Sequence, residues 1–320
     1  MQKSGGSEKR AHRSRYSLNT QYTFGNDESR LPKGGGELRE ALSQWDAISA
    51  RRKERLLRGD VPHELVGELW LKLSGAGDLL DKNKGVFETL LAKGRCPPGE
   101  EEKIVKDIAR TFPDVVANVE LQTALFNVLK SYNVFDPNLG YCQGLNFLGA
   151  TLLHHLSAEE SFWMLVSLLK GRYDLRALFS AGVPDLVSNL YCLDRFIELY
   201  LPHLFSHFKE QRISPILFAS EWFTTLFGYN FELEFTTAIW TVALSVGKLY
   251  LFRVAMSILR LQEKELLKME FENIILRLKH PGVSAKDVIE EADRFASIDD
   301  KLYMRIRREA AAHTVAENLV

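Results

Sequence analysis

Three cysteines in 320 residues, Cys96, Cys142 and Cys192, are too few and too scattered to build a disulfide framework, and they fit reduced thiols. Neither sign of charge dominates: Lys and Arg number 41 against 42 Asp and Glu, so no global basic field points to nucleic acid or an anionic membrane surface. Long apolar runs are also missing. The uncharged apolar stretch Phe235 to Gly247 falls short of the roughly 20 residues that span a bilayer, so a buried core helix is expected there. No GxxxxGK[ST] phosphate cradle occurs, which excludes a P-loop nucleotide-binding enzyme. His203 and His207 stand four apart, but they lack the accompanying Glu and a third ligand, so no metal is expected. No Ser-His-Asp order is readable, and nothing cationic adjoins Cys142 to activate it as a nucleophile.

What the chain has in abundance is apolar residues, 46% of the total, arranged at helical spacing. Residues 1–36 are the exception. Rich in Ser, Gly, Lys and Arg, they end in Gly34-Gly35-Gly36 and read as a disordered tail without the apolar centre of a secretory signal. Beyond them Leu38, Leu42 and Trp45 keep a helical period, and a basic run from Arg51 to Arg58 reads as a solvated face. Pro62 suits a first helical turn, with Leu65, Val66, Leu69, Trp70 and Leu73 on one face below it. A loop at Gly75-Ala76-Gly77 and a polar stretch through Cys96-Pro97-Pro98-Gly99 follow. Then comes a helix opened by Glu100-Glu101-Glu102, acids that favour the positive end of a helix dipole.

Along that segment, read as helical from Ile104 to Phe112, Ile104, Val105, Ile108 and Phe112 share one side. Asp107 and Arg110 share the other, one turn apart, so the carboxylate can orient the guanidinium. Another amphipathic helix through Leu121, Leu125, Val128, Leu129 and Tyr132 stops before Pro137. After it stands Asn138-Leu139-Gly140-Tyr141-Cys142-Gln143-Gly144-Leu145-Asn146, a polar break whose two glycines permit tight turns and present Gln143. Ser157-Ala158-Glu159-Glu160 has capping-box form. Further helices are expected over 185–200, 215–227, 234–246, 249–261, 264–279 and 284–308. With no strand alternation and no internal repeat, the fold class is all-α, many helices around one core.

Taken singly, an Arg beside an Asp reads as a surface ion pair and a Gln between glycines as a loop residue. Together, Ile104-x-x-Asp107-x-x-Arg110-Thr111-Phe112-Pro113 and Gly140-Tyr141-Cys142-Gln143-Gly144-Leu145-Asn146 resemble the two signature motifs of the TBC domain, the Rab GTPase-activating module. Gly59-Asp60-Val61-Pro62 with Trp70, Glu160-Ser161-Phe162-Trp163, Trp222-Phe223-x-x-Leu226-Phe227 and Ile239-Trp240 are similar to further landmarks of that family. The resemblance implies a helical domain over residues 37–312, two lobes in one unit, with a C-terminal tail at 313–320.

It also implies a GTPase-activating protein with no independent enzymatic activity, which inserts Arg110 as an arginine finger and Gln143 as a glutamine finger into a GTP-bound Rab-family GTPase. Asp107 would orient Arg110, while Tyr141, Gly144 and Asn146 would shape the glutamine loop. No cofactor or metal of its own is implied, since Mg²⁺ and GTP come with the partner. Membrane contact would be indirect, through the Rab, for an otherwise soluble cytoplasmic protein on endomembranes. The alternative is a non-catalytic Rab-binding scaffold on the same fold. The chain departs from the family pattern at Val66, Ala238 and Thr241, where relatives carry charges; these positions are expected to share one contact in which both signs of charge have been replaced together.

Overall fold

The computed structural model describes residues 35–59 and 61–317, with side chains up to 312 apart from residue 93. Among them there is no strand. The first part of the chain forms α1 (Gly35–Ser43), α2 (Ala50–Arg58), α3 (His63–Ser74), α4 (Ala76–Lys82), α5 (Val86–Lys93), α6 (Glu100–Ile108), α7 (Pro113–Ala117), α8 (Val119–Phe135), α9 (Leu145–Leu153) and α10 (Ala158–Lys170). The second forms α11 (Pro184–Tyr200), α12 (Pro202–Glu210), α13 (Ala219–Thr224), α14 (Leu233–Val246), α15 (Tyr250–Leu266), α16 (Phe271–Lys279), α17 (Ala285–Ala292) and α18 (Asp300–Glu317). The tail expected at 1–36 lies outside the described residues except for Gly35 and Gly36, which open α1. At the other end the α18 backbone continues through 313–317.

Helix starts follow their local chemistry. Ser157 and Glu160 close the expected capping box on α10, and Asn118 caps α8 by accepting from the amides of Glu120 and Leu121. Pro62 stands just before α3, whose face of Leu65, Val66, Leu69, Trp70 and Leu73 is buried. Two short helices, α4 and α5, occupy the region read as a loop and a polar stretch. Each begins at a glycine with positive φ, Gly75 at 76° and Gly85 at 79°; Gly75 also ends α3 as its left-handed cap, so one residue both closes a helix and opens the next.

Three further boundaries differ from the expected ones. The segment 215–227 is not one helix: a 3₁₀ turn at Pro215–Leu217 leads into α13, and Leu226 and Phe227 have φ of 47° and 69°. The chain over 264–279 breaks between α15 and α16, and 284–308 divides into α17, a 3₁₀ turn and α18. Helix α12 carries the His203/His207 pair, and His207 Nε2 lies 2.9 Å from the Met269 carbonyl, which accepts its proton.

The core is continuous from Leu38 to Ile306. Helices α8, α9 and α10 pack side by side, with α4 on α10 and α6 across α8 and α9. In the second part α11 carries α12, α15 and α18. Helix α14 joins the two parts, lying on α3 and α9 to one side and on α15 and α17 to the other. Val66 on α3 and Thr241 on α14 are both buried, and across the α3–α14 contact Trp70 Nε1 donates to Thr241 Oγ1 at 2.9 Å, with the Trp70 and Trp240 rings 5.4 Å apart. One hydroxyl thus satisfies the indole where a charged group would need a partner of its own.

Helix α3 approaches the end of α9 at backbone distance. A Cβ on Gly67 would stand 2.2 Å from the His155 carbonyl oxygen, closer than any real contact. Gly67→Ala is therefore expected to destabilise the fold by about 1–3 kcal/mol or more, read as a lower denaturation midpoint, because neither backbone can yield. His155 itself is pushed down to about 3 by burial and by neighbouring His63 and His154. A histidine depressed in the folded state supports folding above its ordinary value and loses that support as pH falls. Wild-type stability should accordingly decline between the ordinary histidine range, roughly pH 6.5, and about pH 3, and His155→Gln should flatten the profile in that window.

Candidate functional site

Asp107 was expected on the exposed side of its helix beside Arg110. It is buried, 7% exposed, because the Tyr141 and Asn146 side chains cover it. Helix α6 also stops earlier than its periodicity suggests: after Ile108 the chain tightens, with the Arg110 amide donating to Asp107 O at 3.2 Å and the Thr111 amide to Ile108 O at 3.1 Å. Arg110 is thereby lifted off the helix onto a turn. Its side chain is 58% exposed and its Nη2 lies 2.6 Å from Asp107 Oδ1. Val105, grouped by spacing with the core, is 56% exposed on the same helix.

The other oxygen of Asp107 belongs to the glutamine loop. Tyr141 Oη donates to Asp107 Oδ2 at 2.8 Å, and burial, reinforced by that carboxylate, drives the phenol far above its ordinary range, so it remains a fixed donor. Asn146 Nδ2 donates to Thr111 Oγ1 at 3.0 Å and reaches Asp107 O at 3.4 Å, while its Oδ1 accepts from the Gly144 amide at 3.2 Å. Thr111 Oγ1 in turn donates to Asp107 O at 2.8 Å. The carboxylate and carbonyl of one residue thus connect the arginine turn to the positions two before and three after Gln143. Gln143 itself is exposed.

Both glycines of the loop are needed in that role. Gly140 has φ of 69°, and Gly144 has φ of 104°, where an added Cβ would lie 2.8 Å from Thr224 O. Cys142, between Tyr141 and Gln143, donates its thiol to Phe179 O at 3.0 Å, and burial raises its pKa. It is therefore a protonated packing group rather than a nucleophile.

Two anchors were not singled out from the sequence. Glu100, read as an acid suited to the helix dipole, accepts the Tyr141 amide at 2.9 Å and Asn133 Nδ2 at 3.1 Å on Oε2, and pairs with Lys103 at 2.6 Å on Oε1. Lys103 holds its carboxyl below the usual range against the opposing effect of burial. Helix α6 is thus joined to the loop at both of its ends. Asp136, following α8, accepts the amides of Leu139 and Gly140 on its carbonyl, and its carboxylate takes Arg176 at 2.7 and 3.0 Å, which holds its pKa down. Its place directly before Pro137, a pairing that favours turns, is the signal that could have marked Asp136. The partner of Glu100 is remote in sequence and left no trace.

The site combines an exposed guanidinium with an exposed carboxamide on two interlocked turns. It offers positive charge and a hydrogen-bonding group to something outside the chain. Among the described residues there is no group of three His, Cys, Asp or Glu placed to hold a metal ion, and no helix is long and apolar enough to cross a membrane.

The fold belongs to a known class of helical domain. The chain belongs to the Rab-GTPase-TBC domain family, which it matches over residues 63–267. It is 31% identical over 256 residues to the ecotropic viral integration site 5 ortholog of Drosophila melanogaster, covering 77% of this chain and 31% of that protein. It is 32% identical over 244 residues to the GTPase-activating protein GYP5 of Saccharomyces cerevisiae, covering 75% of this chain and 26% of that protein. The chain therefore spans about three-tenths of the length of these curated relatives. In fold it is similar to the Chlamydomonas flagellar RabGAP TBC domain, with a TM-score of 0.70 at 23% identity over 82% of this chain and 92% of that one.

Removing one hydroxyl tests the shared carboxylate. Tyr141→Phe leaves Asp107 Oδ2 buried without its donor and is expected to lower unfolding free energy by about 1–3 kcal/mol, measured by chemical denaturation.

Proposed function

We propose that this chain is a GTPase-activating protein for a Rab-family GTPase, acting in trans on the GTP-bound partner. The observation that carries the reading is the exposed Arg110 guanidinium, held at 2.6 Å by a carboxylate whose other oxygen holds the loop bearing the exposed Gln143. Phosphoryl transfer asks little covalent chemistry of a protein and much positioning and charge stabilisation. Arg110 neutralises charge that develops on the transferring phosphoryl group and its leaving oxygen. Gln143 orients the attacking water. Asp107 directs the guanidinium before docking, and Tyr141, Gly144 and Asn146 keep the glutamine turn in shape.

The chain needs no cofactor of its own in this scheme: Mg²⁺ and GTP arrive with the partner, and any membrane association runs through it. The family membership and the name of the yeast relative support the assignment of the activity class. Exposure of both side chains favours catalysis over the scaffold alternative, because a scaffold has no need of an exposed guanidinium and an exposed carboxamide on two hydrogen-bonded turns.

Single-turnover GTP hydrolysis over a panel of Rab GTPases tests it. Wild type should accelerate hydrolysis by at least one member, and Arg110→Ala should remove roughly 10³–10⁵ of that acceleration. Gln143→Ala should also cut it by orders of magnitude, with far-ultraviolet dichroism unchanged in both variants. Equal acceleration by wild type and both variants would sink the dual-finger mechanism.

A further inference from the structure

Between α13 and α14 the chain makes a turn that no helical signal requires. Leu226 and Phe227, neither a glycine, both lie in the left-handed region, which L residues with bulky side chains avoid. Such a conformation persists only where its surroundings over-determine it. Here the Phe227 amide donates to Trp222 O at 2.8 Å, Trp240 Nε1 donates to Leu226 O at 2.8 Å, and Thr225 Oγ1 accepts the Tyr229 amide at 3.1 Å. The Phe227 ring is fully buried, with its centroid 5.8 Å from those of both Trp222 and Phe231.

What the turn reaches explains why it is held so firmly. Thr224 O faces Gly144, the residue after Gln143, at a distance that admits no side chain. A methyl group on Gly228 would meet the Phe112 ring at 3.9 Å, and Phe112 stands two residues after Arg110. Tyr229, 52% exposed, sets its ring edge-on to Phe147 at 5.1 Å, and Phe147 meets Phe112 edge-on at 5.4 Å. Phe147 follows Asn146 directly. One strained turn from the second part of the chain therefore abuts the glutamine loop on one side and the arginine turn on the other.

We propose that the Thr224–Tyr229 turn is a positioning element that sets the arginine and glutamine turns relative to each other, with Tyr229 and Phe147 as its positioning residues. The proposal rests on the reading of Arg110 and Gln143 as the groups that act on the partner. Aromatic pairs prefer these edge-to-face arrangements, so the Tyr229–Phe147–Phe112 series resists shear between the turns without a charged group. Tyr229 acts through its ring, which makes the hydroxyl dispensable for this role.

The test uses the full chain with Tyr229→Ala, Phe147→Leu, the ring-preserving Tyr229→Phe, and Arg110→Ala as reference. In the isolated chain, Tyr229→Ala should speed hydrogen exchange at amides 109–112 and 139–146 by roughly tenfold while α11 to α18 exchange as in wild type. With a GTP-loaded Rab that wild type stimulates, Tyr229→Ala and Phe147→Leu should lower kcat by roughly 10- to 100-fold with little change in KM, and Tyr229→Phe should regain most of the loss. A rise in KM at unchanged kcat would make Tyr229 a partner contact and overturn the proposal, as would uniformly faster exchange or unaltered behaviour of both variants. If Arg110→Ala also keeps full stimulation, or wild type stimulates no member of the panel, the reading of the fingers fails first. If Arg110→Ala abolishes stimulation and Tyr229→Ala does not reduce it, the positioning role alone fails.

Discussion

A single buried carboxylate ties the functional region together. Asp107 offers one oxygen to a guanidinium in solvent and the other to a buried phenol, and its carbonyl collects Thr111 and Asn146. Burying a carboxylate is costly unless hydrogen bonds replace its water, and here each replacement comes from a segment that has to be aligned. The demand for satisfaction of one charge is thus converted into registry between the end of α6 and the loop before α9. Glu100 repeats the arrangement at the opposite end of α6, where it takes a backbone amide of the same loop.

Much of the helical scaffold was legible in the sequence because its signals are local. The face of α3, the capping box at Ser157 and Glu160, and the stop before Pro137 each depend on residues within a turn or two of one another. The misread parts depend on distant partners. Asp107 belongs on a solvent face by helical period, and only the fold brings Tyr141 and Asn146 over it. Glu100 looked like a helix-dipole acid because the amide it binds lies some forty residues on. The stretch 215–227 has helical composition throughout, yet Leu226 and Phe227 turn left-handed because tertiary contacts with Trp222 and Trp240 outweigh propensity.

The two parts of the chain contribute differently. Helices α6 to α9 supply the exposed groups and their polar anchors, whereas the second part presses against the two turns through apolar rings and backbone. Hydrogen bonds give direction and close packing gives stiffness, so the region has both. The α3–α14 contact follows the same economy, where the Thr241 hydroxyl meets the Trp70 indole.

Cys142 sits between the anchoring tyrosine and the exposed glutamine, a position where a reactive thiol would make the loop vulnerable to oxidants and electrophiles. Its proton is committed to the Phe179 carbonyl, and burial suppresses the thiolate that such reagents attack. The loop is therefore chemically durable: the thiol beside its most exposed residue stays inert, while the carboxamide and guanidinium it helps display have no redox chemistry to lose.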